Sequence, residues 1–142
     1  RARRQSDVLA LAFGGLGAAQ IAWTGYQTLS PSLSAYDIAH KVRDQLKPDT
    51  PFYCVETFEH SALCYLRRQA TMVAVKDELA DPIEREPRDF LPNAAAFARS
   101  WQADGEAFAM FASKDLEDFL KAYPLPMRVV ASDPRRVIVS KP

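Results

Sequence analysis

Charge is missing from one long stretch of this 142-residue chain: no Asp, Glu, Lys or Arg occurs from position 8 through position 36. An ordinary globular sequence carries a charged residue at about one position in four, so chance scatter does not account for the gap. Neither sign of charge is in excess elsewhere. Eighteen Lys and Arg balance eighteen Asp and Glu, which removes the electrostatic case for a nucleic-acid partner. Cysteine and histidine are as scarce, at two each, and a zinc site needs four ligands at recognisable spacings. Cys54 and Cys64 can bond only in an oxidising compartment and only if a strand and its following helix bring their Cβ atoms together. Otherwise they are two reduced, buried thiols. Low-complexity tracts and internal repeats are also missing. At 48% hydrophobic and 25% charged residues, the chain has the composition and length of one domain with a real core.

The charge-free segment is what most needs explaining. Residues 8–29, as a helix, would extend about 33 Å, roughly the hydrocarbon thickness of a bilayer. Arg1, Arg3 and Arg4 precede it, and Trp23 and Tyr26 lie towards its far end, as in a positive-inside, aromatic-belt arrangement. Gly14, Gly15, Gly17, Ala18 and Ala19 would let another helix approach closely. A signal peptide would have a shorter apolar core, a small-residue cleavage site and an initiating Met, whereas this sequence starts at Arg1 and reads as an excised piece. A soluble apolar helix is one rival. Another is a dinucleotide fold, with 7–13 as a strand and Gly15-Leu16-Gly17 opening a phosphate loop. Gln20 stands at its third glycine position and no acid follows before Asp37, so that fingerprint is broken.

Beyond Ser30-Pro31 the pattern turns globular. SAYDIAHKVRDQL predicts a helix capped by Ser34, with Asp37 in its first turn and Ile38, Val42 and Leu46 on one face. His40 falls off that face and reads as a solvated residue. The stretch 52–79 is the organising unit: a strand at 52–55, a helix at 59–68 and a strand at 71–75 make a minimal parallel βαβ unit. Residues 76–93, with three prolines and the mixed charges of Glu84, Arg85, Glu86, Arg88 and Asp89, read as a long surface connection. A helix follows at 93–103, carrying Phe97 and Trp101 and stopping at Asp104-Gly105. A buried strand at 106–112 comes next, then a helix capped by Ser113 with Leu116, Phe119, Leu120 and Tyr123 in period. Two β-branched runs joined by Asp133-Pro134-Arg135 must pair antiparallel. The predicted body is a three-layer α/β fold: a mostly parallel sheet with helices on both faces and a C-terminal antiparallel hairpin.

Open parallel sheets take ligands beyond the carboxyl ends of their strands. Those ends offer Glu56, Thr57, Glu59 and His60, then Lys76, Asp77 and Glu78, then Ser113. Glu56 and Glu59 near His60 could form an acid–base set, and Cys54 with His60 a thiol nucleophile pair, but neither has a third group to orient it. The alternative is that they are loop and cap residues facing water. Arg67 and Arg68 either grip a phosphate or complement a helix C-terminus. Phe97 and Trp101 are either core or a sugar-stacking platform. No residue earns a catalytic, cofactor-binding or metal-binding assignment, and no cofactor is expected.

Several short motifs, taken together, resemble a known family. They are Tyr53, Tyr65-Leu66-Arg67, Asp77-Glu78-Leu79, Glu86-Pro87 with Phe90, and Phe97 with Trp101, behind the join GYQTLSPSLSAYDIAHKV. The chain resembles the C-terminal periplasmic region of bacterial GT-C membrane glycosyltransferases related to aminoarabinose–lipid A transferase and the protein mannosyltransferases. The resemblance implies a last transmembrane or membrane-flanking helix at 1–31 and a periplasmic α/β domain at 32–142, located at the bacterial inner membrane. It implies partners as well: the bilayer, the upstream membrane-embedded catalytic part and, through it, a polyprenyl-phosphate sugar donor. The sugar, such as 4-amino-4-deoxy-L-arabinose, would pass to lipid A or a similar periplasmic acceptor, and this segment would be non-catalytic by itself. A stand-alone α/β domain binding a nucleotide or other ligand is the competing expectation, and an independent hydrolase using Cys54 or Glu56 a third.

Overall fold

A computed structural model describes residues 2–29, 33–75 and 89–142. They fall into two compact units, Arg1–Leu33 and Ser34–Pro142.

The first unit is a helix, α1 (Ala2–Gln27). Its segment Gln5–Gln27 is long and apolar enough to cross a membrane, with a mean hydropathy of 1.4. The apolar side chains surround the helix instead of lining one stripe, the pattern of a helix with no single wet face. Thr24 and Thr28 donate their hydroxyls to the carbonyls of Gln20 (2.9 Å) and Gly25 (2.7 Å), so their polarity is met inside the helix. Residues 7–13 are helical, and Gly15 and Gly17 lie in mid-helix. The strand and phosphate loop of the dinucleotide reading are therefore not formed.

The second unit contains α2 (Tyr36–Arg43), β1 (Phe52–Val55), α3 (His60–Leu66), β2 (Thr71–Val73), β3 (Phe90–Leu91), α4 (Ala94–Ala103), β4 (Phe108–Ala112), α5 (Leu116–Ala122), β5 (Arg128–Ser132) and β6 (Arg136–Ser140). The strands form one sheet in the order β3-β2-β1-β4-β6-β5. The first four run parallel, and β6 and β5 close the other edge as an antiparallel hairpin. The βαβ unit expected at 52–79 is present as β1–α3–β2. β3 is an addition: it pairs with β2 through Met72–Phe90 and Val73–Leu91, inside the stretch read as a surface connection. The rest of that connection, 76–88, lies outside the described residues.

Strand alternation builds two cores. Phe52 and Cys54 of β1, Phe108 and Met110 of β4 and Ile138 of β6 face α2 and α3, meeting Ile38, Val42, Ala62 and Leu66. Tyr53 and Val55, Ala109 and Phe111, Val137 and Val139 face the other way, onto Phe97 and Trp101 of α4 and Phe119 of α5. Both faces of the central strands are covered, as a parallel sheet requires.

Helix ends differ from the sequence reading. Asn93 caps α4, its Oδ1 accepting from the Ala96 N–H at 2.9 Å. Ser34 is not the cap of α2: Ala35 holds that position, and the Ser34 hydroxyl accepts from the Tyr36 N–H at 3.2 Å. Ser113 is not the cap of α5 either. That helix starts from Asp115, and Ser113 Oγ instead donates to the Asp133 carbonyl at 3.0 Å, tying the end of β4 to the hairpin turn. The strand expected from 106 begins at Phe108, and Glu106 stands at the surface, paired with Lys47 at 2.6 Å.

Candidate functional site

Strand order reverses across β1 and β4, so the crevice beyond their carboxyl ends is where a sheet of this kind takes a ligand. Side chains of the protein itself occupy it. Arg136 opens β6 opposite Ala112, the last residue of β4, and its side chain is only 4% exposed. Its Nε donates to Glu59 Oε2 at 2.9 Å and one terminal nitrogen donates to Asp133 Oδ2 at 2.9 Å. Glu59 Oε1 accepts from Ser61 Oγ at 2.8 Å, and Ser61 Oγ accepts in turn from the Ala35 N–H at 3.1 Å. Asp133 Oδ1 receives the Arg135 and Arg136 N–H groups at 2.8 and 2.7 Å, which folds the turn. One buried cation thus holds two carboxylates, and the chain of bonds runs from the start of the domain through α3 to the hairpin.

This network removes the acid–base reading. Each oxygen of Glu59 already accepts a hydrogen bond, one from Ser61 and one from Arg136, so its carboxylate is held in a structural network. Glu56 takes a left-handed conformation (φ 53°) just past β1, its N–H donating to the Val73 carbonyl at 2.9 Å. His60 packs its ring edge-on to Phe58, with centroids 4.2 Å apart. Cys54 is fully buried, and burial followed by the nearby Glu59 charge pushes its thiol up to about 12. A thiol held protonated at neutral pH is no nucleophile. Cys54 and Cys64 are unbonded, and Cys64 is exposed, not buried as expected of a reduced pair. Lys76, Asp77 and Glu78 lie outside the described residues, as do Glu84, Arg85, Glu86 and Arg88.

The two arginines after α3 close the helix and pin a loop. Arg67 is left-handed (φ 52°), its N–H donating to the Cys64 carbonyl at 3.2 Å while the Arg68 N–H reaches back to Leu63 at 3.3 Å. This is the usual αL ending of a helix, made here without glycine. Arg68 spreads its guanidinium over the carbonyls of Thr50 (2.9 Å), Lys47 (2.7 Å) and Pro48 (3.3 Å), fixing the chain between α2 and β1. Partial burial there lowers its pKa from the ordinary arginine value. It is a structural clamp, not a phosphate grip. Beside it, at the amino ends of β1 and β2, an open groove of about 630 Å³ is lined by Arg43, Arg67 and Arg68 and by Asp49 and Asp89. Its charges nearly cancel.

Phe97 and Trp101 are wholly buried, which settles them as core. Phe97 meets the rings of Tyr53, Phe111 and Phe119 at 5.1, 6.1 and 5.7 Å. Trp101 Nε1 donates to the Pro126 carbonyl at 3.2 Å. Tyr53, also in this cluster, donates its hydroxyl to Asp104 Oδ2 at 2.7 Å. Burial first, then the bond to Asp104 and its charge, raise the phenol above its ordinary range. Sequence reasoning missed Arg136. Its one signal was parity: it stands two positions before Ile138, on the face turned towards α2 and α3.

Comparison with known proteins then supplies a family. The family described as aminoarabinose transferase C-terminal domain matches residues 38–141. The chain is similar to ArnT from Cupriavidus metallidurans in its apo state, at 33% identity and a TM-score of 0.68, covering 75% of this chain and 19% of that one. It is also similar to the same transferase bound to undecaprenyl phosphate, at 33% identity and a TM-score of 0.73, covering 82% of this chain and 21% of that one. The chain therefore spans about a fifth of the length of that transferase. Among curated proteins no relative matches.

Proposed function

The chain belongs to the aminoarabinose transferase C-terminal domain family, and we therefore propose that it forms the last membrane-spanning helix and the periplasmic C-terminal domain of a multispan inner-membrane glycosyltransferase. The parent enzyme moves a sugar such as 4-amino-4-deoxy-L-arabinose from a polyprenyl-phosphate carrier to lipid A or a similar acceptor. In this reading α1 crosses the bilayer, residues 32–142 stand in the periplasm, and the carrier is held by the upstream, membrane-embedded part. The similar transferase solved with undecaprenyl phosphate supports a carrier of that class.

The domain itself is an accessory, not a catalyst. One observation carries this: the switch-point crevice is filled by the Arg136–Glu59–Asp133 network. A stand-alone nucleotide-binding domain would need that crevice open, and a hydrolase using Cys54 would need its thiol ionised. Incubating the purified, detergent-solubilised chain with polyprenyl-phosphate aminoarabinose and lipid A tests the reading. No sugar should be transferred; turnover above a protein-free control would overturn the accessory role. Nucleotide sugars should leave the melting temperature unchanged, since a ligand binding only the folded state would raise it.

A further inference from the structure

In the second unit, three large hydrophobic side chains among the described residues are exposed: Tyr36, Tyr65 and Val129. Two of them stand together. Tyr36 on α2 and Tyr65 on α3 meet edge-to-face with centroids 5.3 Å apart, and His40 lies one turn beyond Tyr36 at 5.8 Å. Both rings lie on the outer face of the α2–α3 layer, away from the sheet.

The same spot is where the chain joins the domain. Ser34 Oγ lies 3.4 Å from the Tyr65 hydroxyl and accepts from the Tyr36 N–H, while the Ala35 N–H is held by Ser61. From Gln27, the end of α1, the chain to Ser34 can reach at most ~25 Å even fully extended. If α1 crosses a bilayer, this corner of the domain is tethered at the membrane surface. Tyrosine suits that depth, with an apolar ring and a hydroxyl that stays wet. Lys41 on α2 and Arg67 after α3 are exposed on the same layer and complement anionic headgroups, while Arg43 pairs with Asp44 at 3.7 Å and Asp37 is the remaining opposing charge on α2.

We propose that the Tyr36–Tyr65 pair rests in the headgroup layer of the bilayer and fixes the α2–α3 face of the domain against the membrane. This rests on the reading of α1 as a spanning helix, so the experiment reports on both. Three forms of the full chain, each with one reactive thiol, are labelled with a small fluorophore: native Cys64 beside Tyr65, Lys121→Cys on α5 at the opposite sheet face, and Ala18→Cys in α1. The last two also carry Cys64→Ser; buried Cys54 does not react. Each is reconstituted into phosphatidylethanolamine–phosphatidylglycerol vesicles containing either headgroup-spin-labelled or acyl-chain-spin-labelled lipid.

The headgroup label should quench Cys64 at least ~2-fold more than Lys121, as an interfacial depth requires, and the acyl-chain label should quench Ala18. Replacing both tyrosines with serine should bring Cys64 down to the Lys121 level. Quenching at Ala18 with Cys64 no different from Lys121 overturns the headgroup contact and leaves the spanning helix standing. A Cys64 label shielded from both lipid and aqueous iodide also overturns it, since protein would then cover the patch. No quenching at Ala18 overturns both.

Discussion

Arg136 would be costly to bury without its two carboxylates, and the carboxylates would be costly without it. Arg136→Met should therefore destabilise the domain by ~3–5 kcal/mol, the range for breaking a buried charge group by removing one partner. Urea denaturation of the detergent-solubilised chain, followed by Trp101 fluorescence, measures it; a loss confined to the scale of a surface substitution would show the network to be dispensable. Cys54 and Tyr53 make a second claim. Both have raised folded-state pKa values, so the native state keeps protons that the unfolded chain gives up. Their contribution is whole below the unfolded cysteine value of about 9 and is lost as pH rises towards 12. The melting midpoint should stay level at neutral pH and fall above about pH 9, with a shallower fall in a Cys54→Ala, Tyr53→Phe double variant. A midpoint that rises with alkalinity would contradict the assignment.

At the scale of elements, α3 ends on a residue that is conformationally expensive for its position. Arg67→Gly should relieve the left-handed strain and raise stability by about 0.5–1 kcal/mol, read as a higher denaturation midpoint. Elements with strong repeating patterns were legible from sequence. β1, α3 and β2 follow from two apolar runs around an amphipathic stretch, and the hairpin from β-branched residues about Asp133-Pro134. α4 was legible to within one residue, because the period of Phe97 and Trp101 is strong and Asp104-Gly105 stops it; Asn93, read as the first helical residue, is its cap. β3 was not legible, since two residues carry no periodicity and the strand exists only through its pairing with β2. Ser34 and Ser113 were misassigned for a related reason: each satisfies a cap pattern locally, but a tertiary hydrogen bond or the next residue takes the position. The filled crevice depends on Glu59 and Arg136, which are distant in sequence, so no local pattern could announce it.

For the whole molecule, the charge-free gap and the two-sided core divide the chain into a helix long and apolar enough to cross a membrane and an α/β domain with its own core. Core packing sets the domain's stability: Phe97→Ala would open a void among the rings of Tyr53, Trp101, Phe111 and Phe119 and cost ~3–5 kcal/mol, visible as a lost thermal transition. In the proposed reading, function rests on how the two parts are used together, with chemistry assigned upstream and the domain held at the bilayer. Alkaline carbonate extraction of membranes from cells producing the chain tests that division most directly. The chain should remain in the membrane pellet after extraction, as an integral protein does; its release into the supernatant as a soluble monomer would contradict the account.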